Sequence, residues 1–262
     1  MKKLILTTLI IIGFASSINA TITGTDRGTG NHNSASGTLT CTPTSNFTAG
    51  SFGVLVIAMD NSGSAGNTPI APATASGSDG STWTRRLDAV FDNGAASAGA
   101  EIVIFTSNTT SLTTGQSVTV TWTATTPTAK AYGFHEFTTN AAGKIIQFIA
   151  GSASNTAGGT TGTPTSPATN VNNGNVFIGG GAAESANTWT GDADTSNGNS
   201  STQRTNAAGS GTTGMSLTTQ RKIVSATANQ TYNPTLTSVD VILGWIQLPE
   251  VSAFMPRRMV IM

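Results

Sequence analysis

Ser51-Phe-Gly-Val-Leu-Val-Ile-Ala-Met-Asp60-Asn-Ser62 returns in the second half of the chain as Asn175-Val-Phe-Ile-Gly-Gly-Gly-Ala-Ala-Glu184-Ser185. Each run follows a stretch rich in Thr, Pro and Asn and leads into a polar loop. Further along, Ala131-Tyr-Gly-Phe-His-Glu-Phe137 answers to Val241-Ile-Leu-Gly-Trp-Ile-Gln-Leu248, the last strand of each half. The offset of roughly 105 to 120 residues is that of an internal duplication. Short apolar runs bounded by Gly, Ser, Asn and Thr read as strands. The clearest is Ser117-Val-Thr-Val-Thr-Trp-Thr123, which puts Val118, Val120 and Trp122 on one face and threonines on the other. Phe52 to Met59, Ala100 to Phe105, Lys144 to Ile149, Asn175 to Ile178, Arg221 to Val224 and Ser238 to Leu248 are further strands, and no window shows capped helical periodicity.

The expected fold is therefore all-β: a two-sheet antiparallel β-sandwich of jelly-roll type covering residues 21–248, built from two similar halves (about 22–137 and 144–248). In this arrangement each half supplies strands to both sheets. Two tandem sandwiches of about 110 residues are the alternative. The short connection Thr138 to Gly143 favours one packed unit.

Composition narrows the function classes. Lys+Arg and Asp+Glu are both 12, so the chain lacks the basic footprint of a nucleic-acid binder. Only 9% of its 262 residues are charged, yet the clustering of apolar residues in strand-length runs argues against disorder. Thr-rich outer faces favour the strand and keep it soluble, while the scarcity of charge leaves sheet edges poorly guarded and self-association a prospect. With Cys41 as its single cysteine the chain has no internal disulfide framework. Residues 1–20 have the layout of an export signal: Lys2 and Lys3, an apolar Leu4 to Ala15, then Ser16 to Ala20 ending in a small residue. That apolar stretch, about a dozen residues, is short of the roughly 20 a membrane span needs. The alternative for these residues is a buried N-terminal strand or assembly arm.

Catalytic constellations are scarce. His32 and His135 are the two histidines; His135-Glu136 lies in a strand and lacks the second histidine of a zinc-protease helix, and no Gly-x-Ser-x-Gly elbow occurs. Glu101, Glu136 and Glu184 form no close pair in sequence, although a pair can assemble across strands. The expectation is no enzyme and no cofactor. Asp192 and Asp194, in Asp192-Ala-Asp194-Thr-Ser196-Asn197-Gly198, resemble the start of a calcium loop, but the glycine falls one place late and no acidic residue closes it, which suits a solvated Asx turn better. The glycines Gly179-Gly-Gly181 precede no helix and suit close backbone approach.

A glycan site is the sharper binding idea. Trp83, Trp189 and Tyr232 stand in polar, loop-like surroundings near Asp79 and Asn187, and the two tryptophans hold similar places in the halves. The competing reading is that these rings cap the sandwich ends as buried anchors. After the last strand, residues 249–262 change character: Phe254 and Met255 precede Arg257 and Arg258, then Met259-Val260-Ile261-Met262. Such a tail makes sense docked on a neighbouring subunit or on the chain's own sheet edge.

The order of Ser81-Thr-Trp-Thr-Arg-Arg86, Glu101 to Phe105, Val118 to Trp122, Tyr132 to Phe137, Arg221-Lys-Ile-Val-Ser225 and Val241 to Trp245 resembles the duplicated jelly-roll or lectin-like β-sandwich modules of phage structural proteins and bacterial secreted surface proteins. The resemblance implies a non-catalytic building block of a virion, appendage or cell surface. It assigns no individual residue, and the export signal departs from the phage case. The expectation is thus a secreted or cell-surface structural or adhesive subunit. Its alternatives are a phage decoration or fibre protein, located in the virion, and a module that binds surface glycans.

Overall fold

The structure is a computed structural model and describes residues 22–33, 35–60, 69–70, 74–91, 99–123, 127–156, 164–184, 188–190, 192, 200–207, 214–236 and 240–253; for 154–156 and 200–207 it describes the backbone alone. The described residues are all-β, and every strand pairing is antiparallel.

Residues 22–139 supply eight strands: β1 (Ile22–His32), β2 (Thr38–Cys41), β3 (Ser51–Asp60), β4 (Thr74–Gly77), β5 (Thr82–Phe91), β6 (Ala100–Thr110), β7 (Val118–Thr121) and β8 (Lys130–Thr139). They form one curved sheet in the order β1-β8-β3-β6-β5-β4-β7-β2. The ring almost closes, because the Thr44 N–H just beyond β2 donates to the Arg27 carbonyl of β1 (2.8 Å). Beside that bond β1 bulges between Asp26 and Gly28, and Gly28 takes φ +112°, a conformation open to glycine.

The rest of the chain supplies β9 (Lys144–Ile146), β10 (Ala150–Thr156), β11 (Thr169–Val171), β12 (Val176–Glu184), β13 (Ser200–Ala207), β14 (Met215–Ile223), β15 (Ala228–Gln230), β16 (Val241–Leu248) and β17 (Glu250–Ser252). Five of them make a sheet in the order β10-β16-β12-β14-β13; β11 pairs with β15, and β17 with β9. The order β1-β8-β3-β6-β5 thus recurs in the second half, with β3 matched to β12 and β8 to β16. A Thr190–Thr235 bridge and the β11–β15 pair stand where the first half has β4, β7 and β2. No strand of the eight-stranded or five-stranded sheet comes from the other half. The expected sharing of both sheets between the halves is corrected here: pairing stays local, as loop-closure entropy favours.

The two halves pack through these five-strand arrays. β1 lies against β13 and β5 against β10, β8 against β14 and β6 against β16, and β3 against β12. Under the strand correspondence each contact maps onto its partner, the reciprocity of an isologous interface between two copies. Val54, Val56, Ile102 and Ile104 meet Ile178, Ala182, Leu217, Ile242 and Ile246 in the shared core. On its other face β3 sends Leu55, Ile57 and Met59 into a second core beneath β2, β4 and β7, which is why all ten of its residues are buried. β12 is likewise covered on both sides, with Phe177, Trp189, Tyr232, Leu243 and Trp245 in a third core.

Candidate functional site

Across the shared core the sequence places one polar line. Asp26 of β1 accepts from His135 of β8 through Nδ1 (2.8 Å), and His135 Nε2 meets the Thr219 hydroxyl of β14 (2.8 Å). Arg221, two residues along β14 on the same face, donates from Nε to the same Asp26 oxygen (3.1 Å). His135 has no exposed surface, and burial pushes its pKa below the ordinary value, Asp26 pulling the other way and Arg221 adding to the fall. The ring is therefore neutral at neutral pH: Nδ1–H donates to the carboxylate, and Nε2 accepts from Thr219. Acid, imidazole and hydroxyl stand in the connectivity of a nucleophilic triad. Thr219 is fully buried, however, so a substrate has no route to its oxygen, and the line acts as a clamp between the halves. The sequence signalled His135 but not its partners, 109 and 84 residues away.

A carboxyl pair assembles across β5 and β6. Asp88 opposes Val103 and Glu101 opposes Val90, which makes the two acids diagonal neighbours. Burial, then the hydrogen bond and charge of Asp88, push Glu101 up to about 10, against the pull of the Ile70 N–H and Arg85. Asp88, raised mainly by burial, keeps Arg85 at 2.8 Å. Glu101 therefore holds a proton at neutral pH and the pair acts as an acid–carboxylate hydrogen bond. Glu136 instead receives Arg27 from Nε (2.7 Å), together with the Thr48 N–H.

The three rings proposed for a glycan all lie inside. Trp83 is 4% exposed, donates its indole N–H to Ser81 (2.9 Å) and meets Phe134 edge-on at 6.0 Å. Trp189, 1% exposed, donates to Ser216 (3.0 Å), and Tyr232, also 1%, donates to Thr218 (3.1 Å). None of them offers a ring face to solvent. Nor are the tryptophans equivalent: a Cβ on Gly53, near the start of β3, would meet Trp83, whereas one on Gly181, past the middle of β12, would meet Trp189. Asp79 is a turn cap. Burial raises its pKa, but hydrogen bonds from Ser81, Ser111 and Thr110 outweigh that and hold it below the ordinary range.

Asp192 is buried as well; its carboxylate accepts the Asn233 N–H (3.1 Å) and both donors of the Asn233 amide, oriented with its nitrogen inward (2.7 and 3.0 Å). Oxygens turned toward N–H donors are an Asx-type anchor rather than a cation cradle. Among the described residues no group of three or more His, Cys, Asp or Glu is placed to hold a metal, and no helix is long and apolar enough to cross a membrane. Asn187, Asp194, the segment 1–20 and the tail residues Phe254, Met255, Arg257, Arg258, Val260 and Ile261 lie outside the described residues. Comparison with protein-family models, curated proteins and solved structures returns no match.

Proposed function

We propose that the chain is a non-catalytic structural or adhesive subunit of an extracellular surface, exported through residues 1–20 and built from two jelly rolls packed face to face. The jelly-roll reading is supported by the strand order of the first half: β1-β8-β3-β6 and β5-β4-β7-β2 are the two four-stranded rows of two nested Greek keys. The observation that carries the functional reading is the reciprocal packing of the two halves, with both five-strand arrays buried on each other and on an outer layer. It makes a stiff block in which the polar groups suited to chemistry are hydrogen-bonded into the scaffold, as a load-carrying subunit requires. Assembly is assigned to the C-terminal tail, which departs from β17 beside Gly143, where the Ala253 N–H is bonded to the Gly143 carbonyl (2.8 Å).

Light scattering after size exclusion, with negative-stain imaging, tests this on residues 21–262 with and without the tail after Ala253. Ordered multimers that vanish with the tail are expected. A monomer in both forms overturns the subunit reading.

A further inference from the structure

The matching edge strands of the two halves are closed differently. In the first half β1 is bulged between Asp26 and Gly28, carries Asp26, Arg27 and His32, and gives its Arg27 carbonyl to the Thr44 N–H (2.8 Å). Its counterpart β10, Ala150-Gly-Ser-Ala-Ser-Asn-Thr156, pairs with β16 in unbroken register and has no charge, no proline and no bulge. Among the described residues no backbone group bonds to its outer side. Alternate N–H and C=O groups of such an edge point outward, the template on which another strand adds.

Beside this edge the margin of the shared core is open. Leu87 and Ala89 of β5 and Phe148 and Ala153 of the β10 segment pack on that core but stay half-buried, and Ile149, at the foot of β10, is 52% exposed. Leu87 sits over Gly244, the residue opposite Ala153, so these side chains share the seam between β5 and β10. The other margin of the five-stranded sheet differs: β13 carries Arg204 in mid-strand and lies against β1, a strand of glycine, threonine and charged residues. A strand added at β10 gains backbone bonds and apolar contact together.

The chain holds one segment with that chemistry. In Arg257-Arg-Met-Val-Ile-Met262, Met259 and Ile261 fall on one face of an extended strand and Val260 and Met262 on the other. The chain enters this tail from β17, antiparallel to β9, and passes Gly143 heading away from β10. From Gly143 to Ala150 the backbone is held along residues 247–249 by the Gln147 N–H on the Pro249 carbonyl (3.1 Å) and the Ile149 N–H on the Gln247 carbonyl (3.2 Å), a run of about 20 Å. Residues 254–257 span at most about 14 Å. A chain's own tail therefore brings only its last few residues to β10, and a full ladder there needs the tail of another copy.

We infer that the outer edge of β10 is the seat of the C-terminal tail of a second copy, which adds residues 257–262 as a sixth strand and covers the seam of Leu87, Phe148 and Ala153. The inference rests on the proposed function, which gives assembly to the tail, and names the surface that receives it.

Residue-by-residue amide exchange on residues 21–262, alongside light scattering, tests it. At concentrations where multimers form, alternate amides of β10 should exchange at least tenfold more slowly than in the dilute monomer, while those of β1 change less than twofold. Cutting the chain after Ala253 should abolish the slowing, and a synthetic peptide of residues 254–262 should restore it. Ser152→Lys, which puts a charge on the edge, should weaken assembly at least tenfold, and Ser152→Ala should leave it intact. Multimers whose β10 amides exchange as in the monomer overturn the seat and leave the subunit reading standing. Equal protection of β10 in the dilute monomer and in the form without the tail also overturns it, since the edge is then already covered. A monomer at every concentration overturns both.

Discussion

The outer faces of the two five-strand arrays are built by opposite means. On the first half, β3 presents Leu55, Ile57 and Met59, β6 Val103 and Phe105, β5 Trp83 and β8 Phe134, and the layer above answers with Leu39, Ala75, Val118 and Val120. On the second half, β12 has Gly179 and Gly181 on that face, and large side chains lie directly on the strand. A Cβ on Gly179 would run into the Tyr232 ring, one on Gly181 would meet Trp189 at 3.0 Å, and on the inner face one on Gly180 would meet Ile102 and Val56 at 2.8 and 2.9 Å. The β14 strand, counterpart of β6, then fastens that layer with polar groups. Ser216 takes the Trp189 indole, Thr218 the Tyr232 hydroxyl, Gln220 both backbone groups of Asp192 (3.0 and 3.3 Å), and Lys222 donates to Gln230 (2.8 Å). A three-stranded cover holds itself together, and its apolar complement is supplemented at the ends by the Tyr132 hydroxyl on the Thr42 backbone and by Asp79 on Thr110. A cover with one two-stranded pair and one bridge needs side-chain bonds to set its position.

The comparison can be broken first at its tryptophans. Trp83→Ala and Trp189→Ala should each cost about 3–5 kcal/mol in urea unfolding, since both remove a buried ring. A loss under about 1 kcal/mol at Trp189 would mean that its ring stands in solvent and that the second cover is loose. Next comes Gly179→Ala, expected to cost about 1–3 kcal/mol by displacing Tyr232. Gly115→Ala, whose Cβ meets nothing within 4 Å, serves as the control and should change stability by less than about 0.5 kcal/mol.

The first half carries the acid pair, which predicts a pH signature. Glu101 keeps its proton in the fold to about 10 but loses it near its ordinary 4.5 when unfolded, so unfolding releases a proton and stability falls as pH rises between those values. Lys130, pushed down to about 8 by burial against the pull of Asp60, acts in the opposite sense from there to its ordinary 10.5. Because His135 acts below its ordinary 6.5, the clean window is 6.5 to 8. There Glu101→Gln should flatten a slope of at most about 1.4 kcal/mol per pH unit, measured from denaturation midpoints. An unchanged slope would show that Glu101 ionises in the fold. His135 tilts the acid side: the unfolded chain takes up a proton below 6.5 that the buried ring refuses, so stability declines as pH falls through that value.

The finest test is Tyr232→Phe, worth about 1 kcal/mol, in a double-mutant cycle with Thr218→Val. A coupling energy near zero would remove the polar fastening from the account of the second half.

Much of the fold was legible in particular strands. Val118, Val120 and Trp122 are buried while Thr119 and Thr121 are half-exposed, as the alternation required. The pairings that revealed the repeat fall on β3 with β12 and on β8 with β16. β1 was not legible, because Ile22-Thr-Gly-Thr-Asp-Arg-Gly-Thr-Gly-Asn-His32 has the composition of a loop and becomes a strand through its ladder with β8. The candidate site was least legible. Trp189 and Tyr232 sit among polar residues in sequence, and of these Asp192, Gln230 and Asn233 proved to be hydrogen-bonded within a buried layer rather than set on a wet rim.

The sequence by itself determined what depends on neighbours a few residues apart: period-two alternation, the polar breaks between strands, the absence of helical periodicity and the doubling of the pattern. The tertiary structure decided which side of each strand was a second interior, which acids met and where His135 found its partners. Those outcomes rest on contacts such as Arg221 to Asp26, 195 residues apart, and a local pattern holds no information about what will cover it once distant strands close over it.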